Sequence, residues 1–239
     1  MFTLAQFDTF LFGFDGVVLD SAELMISAFG ELYADHGDEA RGMVEAYQRT
    51  HPGEARPERI AMFHRSLLGE DLNRAEIEAE CDRLSRIILE EIADCPLMPD
   101  IDETLSVLRA HGISGHIVSN MPQQELEEIL SRKSLAHRFR SAHGGPPSRE
   151  IICEAIFAAN RVDRGRCLFI GTSMAEYRCA TNIGAHFIGI GDDATSPFPF
   201  GTQVVHRLGE AFLEIAAARL GAGVAFSRPI ELGRRFRAA

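Results

Sequence analysis

The stretch Phe12-Gly13-Phe14-Asp15-Gly16-Val17-Val18-Leu19-Asp20-Ser21 decides how this chain is read. It closes a short apolar run, Phe10 to Phe14, that stops at the turn residues Asp15 and Gly16. Such a run reads as a strand buried on both faces that delivers a loop at its carboxyl end. After it, between Ala22 and Asp94, apolar residues recur at helical spacing, most clearly Ile77, Cys81, Leu84, Ile88 and Ile92,. From Pro99 onward helices and strands alternate. The pattern predicts helix 100–111, strand 115–119, helices 122–132 and 148–160, strand 166–170, helix 174–183, strand 186–190, a short strand 203–205 and helix 208–220,. Alternation of this kind predicts an α/β fold with a doubly wound parallel sheet. The core is expected over 1–19 and 93–239, with residues 20–92 inserted as a helical cap.

Composition narrows the function. At 239 residues and 46% hydrophobic, the chain is long enough for one or two domains of about 150 residues with a sizeable core,. Thirty-five acids against 24 bases give a net charge of -11, which argues against nucleic acid or an anionic membrane as partner,. Only Arg228, Arg234, Arg235 and Arg237 make a locally basic stretch. No apolar run approaches the ~20 residues of a membrane span, and the N-terminus lacks a signal peptide's basic start and cleavage site, so a cytoplasmic location is expected. Five cysteines without a CxxC pair predict reduced thiols, and the nine histidines show no HxxxH or HxH spacing, so no zinc or iron site is expected,.

Ligands of a parallel α/β sheet sit at the carboxyl ends of its strands. The residues to weigh are therefore Gly13 to Ser21, Ser119 with Asn120, and Gly171 to Glu176. Each also has a plainer reading. Asp15 could cap a turn, Ser119-Asn120 could be turn chemistry, and Glu176 could be a first-turn acid favoured by the helix dipole. Gly13 could serve only close backbone approach, and Arg56 could be a solvated charge.

The opening segment resembles the first motif of the haloacid dehalogenase superfamily, which reads FDxDGVLxDS. Ser119-Asn120 is similar to its second motif, and Gly145-Pro146-Pro147-Ser148-Arg149-Glu150-Ile151-Ile152 to the GSPxSKxxxI form of its third. Gly171-Thr172-Ser173-Met174-Ala175-Glu176-Tyr177, with Gly184-Ala185-His186-Phe187-Ile188-Gly189-Ile190 downstream, resembles the fourth, GDxxxDY followed by AGxxFIGI. His51-Pro52-Gly53-Glu54-Ala55-Arg56 resembles the HPGxSR cap loop of phosphoglycolate-phosphatase-like members. The five matches run in order over about residues 8–190. The resemblance implies hydrolysis of a phosphate monoester through an aspartyl-phosphate, with a second acid two residues on protonating the leaving oxygen. It also implies magnesium held by the nucleophile and the first acid of the fourth motif. A third-motif Lys and a second-motif hydroxyl would grip the phosphoryl group.

Several of those positions are altered. Gly13 stands where the nucleophile belongs, Thr172 replaces the first acid of the fourth motif, and Glu176 holds the second; no replacement carboxylate is visible. The single lysine, Lys133, lies well before the third motif, leaving Arg149 as its stand-in,. Asp15 keeps the acid/base position, Ser119 and Asn120 the phosphate-binding position, and Arg56 is placed to reach the far end of a substrate. The expectation is a degenerate phosphatase-like protein that binds phosphate or a phosphorylated small molecule in a metal-free pocket, without a cofactor. A working phosphomonoesterase of the phosphoglycolate or sugar-phosphate kind, with magnesium and a compensating carboxylate or activated water, is the competing enzyme reading. A non-catalytic interaction module with a protein partner is the third.

Overall fold

The computed structural model describes residues 6–51, 54–192 and 194–209. The chain forms β1 (Thr9–Phe12), then helices α1 (Ala22–Leu32), α2 (Asp38–Thr50), α3 (Arg56–Phe63) and α4 (Arg74–Glu91). It continues as α5 (Ile101–Ala110), β2 (Ser114–Pro122), α6 (Gln123–Arg132), β3 (Ser141–Gly145), α7 (Arg149–Asn160), β4 (Cys167–Gly171), α8 (Met174–Ile183), β5 (His186–Ile190) and β6 (Val204–Val205). The six strands make one sheet in the order β3-β2-β1-β4-β5-β6. All neighbours are parallel.

β1 lies inside the sheet, pairing Phe12 with Ile117 of β2 and with Ile170 of β4. All four of its residues are buried, which is why its sequence is continuously apolar rather than alternating,. Phe10 and Phe12 face a core completed by α5, α6 and the helices that precede them. Leu11, Val118 and Phe169 face the other layer, where Ile152 and Ile156 of α7 and Cys179 and Ile183 of α8 pack. In this order the connections run outward from β1 through β2 to β3 and then from β4 to β6 on its other side, and the crevice at that switch point between β1 and β4 is where ligands of such sheets bind,.

Within the described residues the predicted elements recur, with two differences. β3 was not expected, because Ser-Ala-His-Gly-Gly carries no apolar run; its pairing with β2 creates it. β2 extends through Pro122, shortening the helix expected from 122. The helix expected over 208–220 and the C-terminal arginines lie essentially outside the described residues. No helix among the described residues is long and apolar enough to cross a membrane.

Helices α1–α4 bury Phe29, Leu32, Val44, Ile60, Leu84 and Ile88 in a core continuous with that of the sheet. α4 starts at a capping box in which Asn73 Oδ1 accepts from the N–H groups of Ala75 and Glu76, while Glu76 accepts from Asn73 N–H,. Polar groups also join this helical segment to the sheet domain. Lys133, after α6, donates to the carbonyls of Ala93 and Cys95. Arg56, the first residue of α3, donates from Nη1 to Glu125 Oε2 at 2.8 Å and from Nη2 to Oε1 at 3.0 Å, and from Nη1 to Ser85 Oγ at 2.8 Å. Both members of this bidentate pair are buried, and Glu125 sits in the first turn of α6.

Removing one partner from such a pair strands a buried charge, at a cost of about 3–5 kcal/mol, whereas an apolar replacement of both costs far less. Glu125→Ala should therefore lower the unfolding free energy, measured in urea, by about that amount. The double variant Arg56→Met/Glu125→Leu should recover most of it; equal loss in the two variants would mean that the pair itself, not the stranded charge, carries the stability.

Candidate functional site

The carboxyl ends of β1, β2 and β4 open into a cavity of about 290 Å³ under helices α1–α3. Gly13 N–H donates to Ile170 O at 2.9 Å, so pairing with β4 persists one residue past β1. The chain then turns sharply at Gly16, whose φ of 71° lies in the left-handed region that L side chains avoid,. The turn presents Asp15 to the cavity, where its carboxylate accepts the Ser21 hydroxyl at 2.7 Å.

Glu176 determines the rest. Ser173 is the N-cap of α8 and accepts from Glu176 N–H, while Glu176 Oε2 accepts from the N–H of Thr172 (2.9 Å), the N–H of Ser173 (3.0 Å) and the Ser173 hydroxyl (2.8 Å). This is a capping box turned inward, and the Glu176 side chain is buried,. Its other oxygen, Oε1, lies over Gly13, where a Cβ would collide with it; a Cβ on Gly171 would stand 2.8 Å from Oε2. Gly13 is not among the glycines with positive φ, so its backbone would accept any residue. Space, not conformation, disfavours a side chain there for as long as Glu176 keeps this rotamer. The resemblance implies a carboxylate at position 13 where the sequence has none, yet the Glu176 carboxylate fills that space, reaching it from α8.

The remaining positions converge. Asp15, Ser119, Asn120, Arg149, Thr172 and Glu176 all line the cavity, as does Arg56; Gly13 is covered by Glu176. Ser119 Oγ accepts from Met121 N–H at 3.1 Å, the turn chemistry that its plainer reading allowed, while the residue still lines the cavity. Arg149 opens α7 behind the N-cap Ser148, half-buried, and is shared with an adjoining groove of about 850 Å³ bordered by Pro57, Ile77 and Pro147. Arg56 is not a solvated charge: its guanidinium is held by Glu125 at the cavity's margin. Lys133 is spent on backbone carbonyls. His51 stacks on Tyr47, away from these residues.

The donor set does not fit a magnesium ion. Position 13 has no side chain, Thr172 offers a neutral hydroxyl directed at Asp15 O (3.4 Å), and Oε2 of Glu176 already takes three hydrogen bonds. The Asp15 oxygen not bonded to Ser21 and Glu176 Oε1 are the carboxylate oxygens that remain, and neither of the two acids that the resemblance implies as magnesium ligands, at positions 13 and 172, is present,. Among the described residues no three His, Cys, Asp or Glu side chains converge to hold a metal.

Asp15 titrates above the ordinary carboxylate range. Burial of its carboxyl is the main cause, and the carboxylates of Glu125 and Glu176 add to it; the Ser21 hydroxyl and Arg56 oppose it. The residue keeps partial exposure at the cavity mouth although its carboxyl is enclosed. Sequence reasoning missed Glu125, Gln48 and Arg59, the last two also lining the cavity. Arg59 follows Arg56 by three residues, and that helical spacing, which places two side chains on one face, was the available signal.

Because the folded pKa of Asp15 exceeds the unfolded 3.8, the native state binds more protons than the unfolded state between those values, and stability falls as pH rises through that window,. Asp15→Asn should therefore raise the melting temperature at pH 7, with the advantage shrinking as pH falls toward 3.8,. A variant less stable than wild type at pH 7, with the deficit closing in acid, would show instead that ionised Asp15 is stabilised.

The model of the haloacid dehalogenase-like hydrolase family matches residues 10–190. No curated protein matches the chain in sequence. Among solved structures, a predicted phosphatase from Clostridium acetobutylicum superposes with a TM-score of 0.71 at 15% identity, over 88% of this chain and 99% of that one. A mutant of CbbY from Rhodobacter sphaeroides, in complex with xylulose-(1,5)bisphosphate, gives 0.69 at 18%, over 84% and 94%. A predicted phosphoglycolate phosphatase from Haemophilus somnus gives 0.67 at 17%, over 91% and 99%. At these identities the likenesses show the fold alone. The family model spans most of the chain, from the strand that precedes Gly13 to the end of β5, and on that match the protein belongs to the haloacid dehalogenase-like hydrolases.

Proposed function

We propose that this protein binds a phosphorylated small molecule between its sheet and a cap formed by α1–α4, and that it hydrolyses that ligand inefficiently or not at all. The observation that carries the reading is the Glu176 carboxylate. It occupies the space of the nucleophile's side chain and takes the amide N–H groups at the end of β4 that would otherwise face an anion. A phosphoryl group can be received only on the β2 side of the crevice, by Ser119, Asn120 and the Arg149 guanidinium,. Structural neighbours are consistent with that ligand class, since CbbY is seen with phosphate and with a sugar bisphosphate.

One observation favours a second reading, a compensated hydrolase. Glu176 Oε1 points to the place of the missing nucleophile, and Asp15, biased toward its protonated form, is two residues from Gly13 as a general acid would be,. In that case turnover depends on Glu176 and disappears in Glu176→Gln.

A panel of phosphate esters, assayed with and without millimolar magnesium for both turnover and thermal stabilisation, separates the readings. The proposal expects phosphate or sulfate to raise the melting temperature, as binding to the native state alone requires, with the effect lost in Arg149→Ala and no turnover above background. Restoring hydrolysis should need Gly13→Asp, Thr172→Asp and the shortening Glu176→Asp together, because Gly13→Asp alone meets the Glu176 carboxylate and a nucleophile without its metal leaves transition-state charge unstabilised,. Wild-type turnover abolished by Glu176→Gln would replace the proposal with the compensated hydrolase.

A further inference from the structure

The β1–β4 side of the cavity carries negative charge that no side chain among the described residues neutralises. Glu176 is only 4% exposed, and its Oε2 takes three hydrogen bonds, all from neutral donors. Oε1 takes none among the described residues, yet it is not one of the sealed polar atoms; it opens to the cavity that Glu176 lines. Asp15 repeats the pattern, with one oxygen on the Ser21 hydroxyl and the other unengaged at the same cavity. Neither acid forms an ion pair among the described residues. The two guanidinium groups whose charge reaches Asp15 stay apart from it: Arg56 is held by Glu125, and Arg59 lies over the Phe29 ring. Buried carboxylates are ordinarily paired, so a bare oxygen on each of two adjacent acids points to a cation that belongs between them.

The kind of cation follows from the donor set. Two carboxylate oxygens are too few for magnesium, which the altered positions 13 and 172 do not supplement,. A planar guanidinium fork matches the two oxygens of one carboxylate, whereas the open oxygens here belong to different residues. A primary ammonium is a compact point charge with three rotatable donors, and it can bridge two such oxygens. The same cavity holds Ser119 and the Arg149 guanidinium on its β2 side. Its volume of about 290 Å³ suits a small molecule that carries both charges.

We infer that Asp15 and Glu176 form a subsite for an organic ammonium group, so that the ligand is a small zwitterion with its amine over Gly13 and its anionic group at Ser119 and Arg149. The anionic half of this statement rests on the function proposed above; the ammonium subsite does not.

Calorimetric titration of the whole chain compares ω-aminoalkyl phosphates of graded length with hydroxyalkyl phosphates of the same lengths, and with inorganic phosphate and magnesium chloride alone. At the length that spans the cavity the amine should bind about tenfold or more tightly than its hydroxyl counterpart. Glu176→Gln, which keeps an oxygen for the Thr172 and Ser173 N–H groups, and Asp15→Asn should each cut that preference about threefold or more, and the double variant should remove it. Hydroxyalkyl phosphates should bind the variants at least as tightly as wild type, because a carboxylate has been taken from beside an anion; that binding also reports an intact fold. Equal binding of the two series by wild type, or a preference that survives in the double variant, would overturn the subsite. So would binding of magnesium alone that disappears in Glu176→Gln, since the pair would then be a metal centre. If inorganic phosphate and the hydroxyalkyl phosphates fail to bind, the reading of the phosphate end falls. The ammonium subsite then stands if ω-amino carboxylates bind more tightly than ω-hydroxy carboxylates in a Glu176-dependent manner, and falls if they do not.

Discussion

The Glu176 carboxylate lying over Gly13 is the interaction on which the rest of the site depends. It brings the first and fourth motifs together at the sheet's switch point, where β1 and β4 run side by side and the carboxyl ends of both strands face the crevice. One oxygen is fixed by two backbone N–H groups and a hydroxyl; the other fills a hollow that exists only because residue 13 has no side chain. Gly171 makes room on the other side of the same group. The absence of a side chain at position 13 and the inward turn of Glu176 are therefore one packing arrangement.

The charge balance around the cavity follows from that arrangement. With Glu176 buried beside Asp15 and no acid at position 172, the β1–β4 side of the crevice is acidic and already hydrogen-bonded. Positive charge is concentrated elsewhere. Arg149 stands at the β2–β3 side, Arg56 is neutralised by Glu125, and Arg59 is held over Phe29 on the helical wall. An anion entering this cavity meets guanidinium groups on two sides and carboxylates on a third. The buried Arg56–Glu125 pair, with the Lys133 contacts to backbone carbonyls, also fixes where the helical wall stands relative to the strand ends.

Much of this was legible in the chain. The buried central strand is visible in Phe10 to Phe14, the parallel sheet in the alternation after Pro99, and the convergence of Asp15, Ser119, Arg149 and Glu176 in motif positions that the fold brings to one edge of the sheet. What was not legible depends on tertiary contact. β3 has too little apolar character to announce itself and is a strand because β2 offers it a partner,. The direction of the Glu176 side chain could not be read from a first-turn acid, since an ordinary capping box points to solvent as easily as inward. Arg56 was readable as a cap-loop cation, but its partner, Glu125, is 69 residues away in sequence.

A double-mutant cycle on residues 13 and 176 tests the account most directly. Gly13→Ala adds a single methyl group at a position whose backbone tolerates any residue, so its cost reports the contacts with Glu176 and with Val17 Cγ2, and the cycle isolates the first. The account predicts that Gly13→Ala lowers the unfolding free energy by about 1–3 kcal/mol in the wild-type background, as overpacking of a buried site does. In a Glu176→Ala background the same change should cost less, with only the Val17 contact left, giving a coupling energy of about 1 kcal/mol or more,. An equal cost in both backgrounds would contradict it, placing the Glu176 carboxylate away from Gly13 and leaving the nucleophile's position vacant.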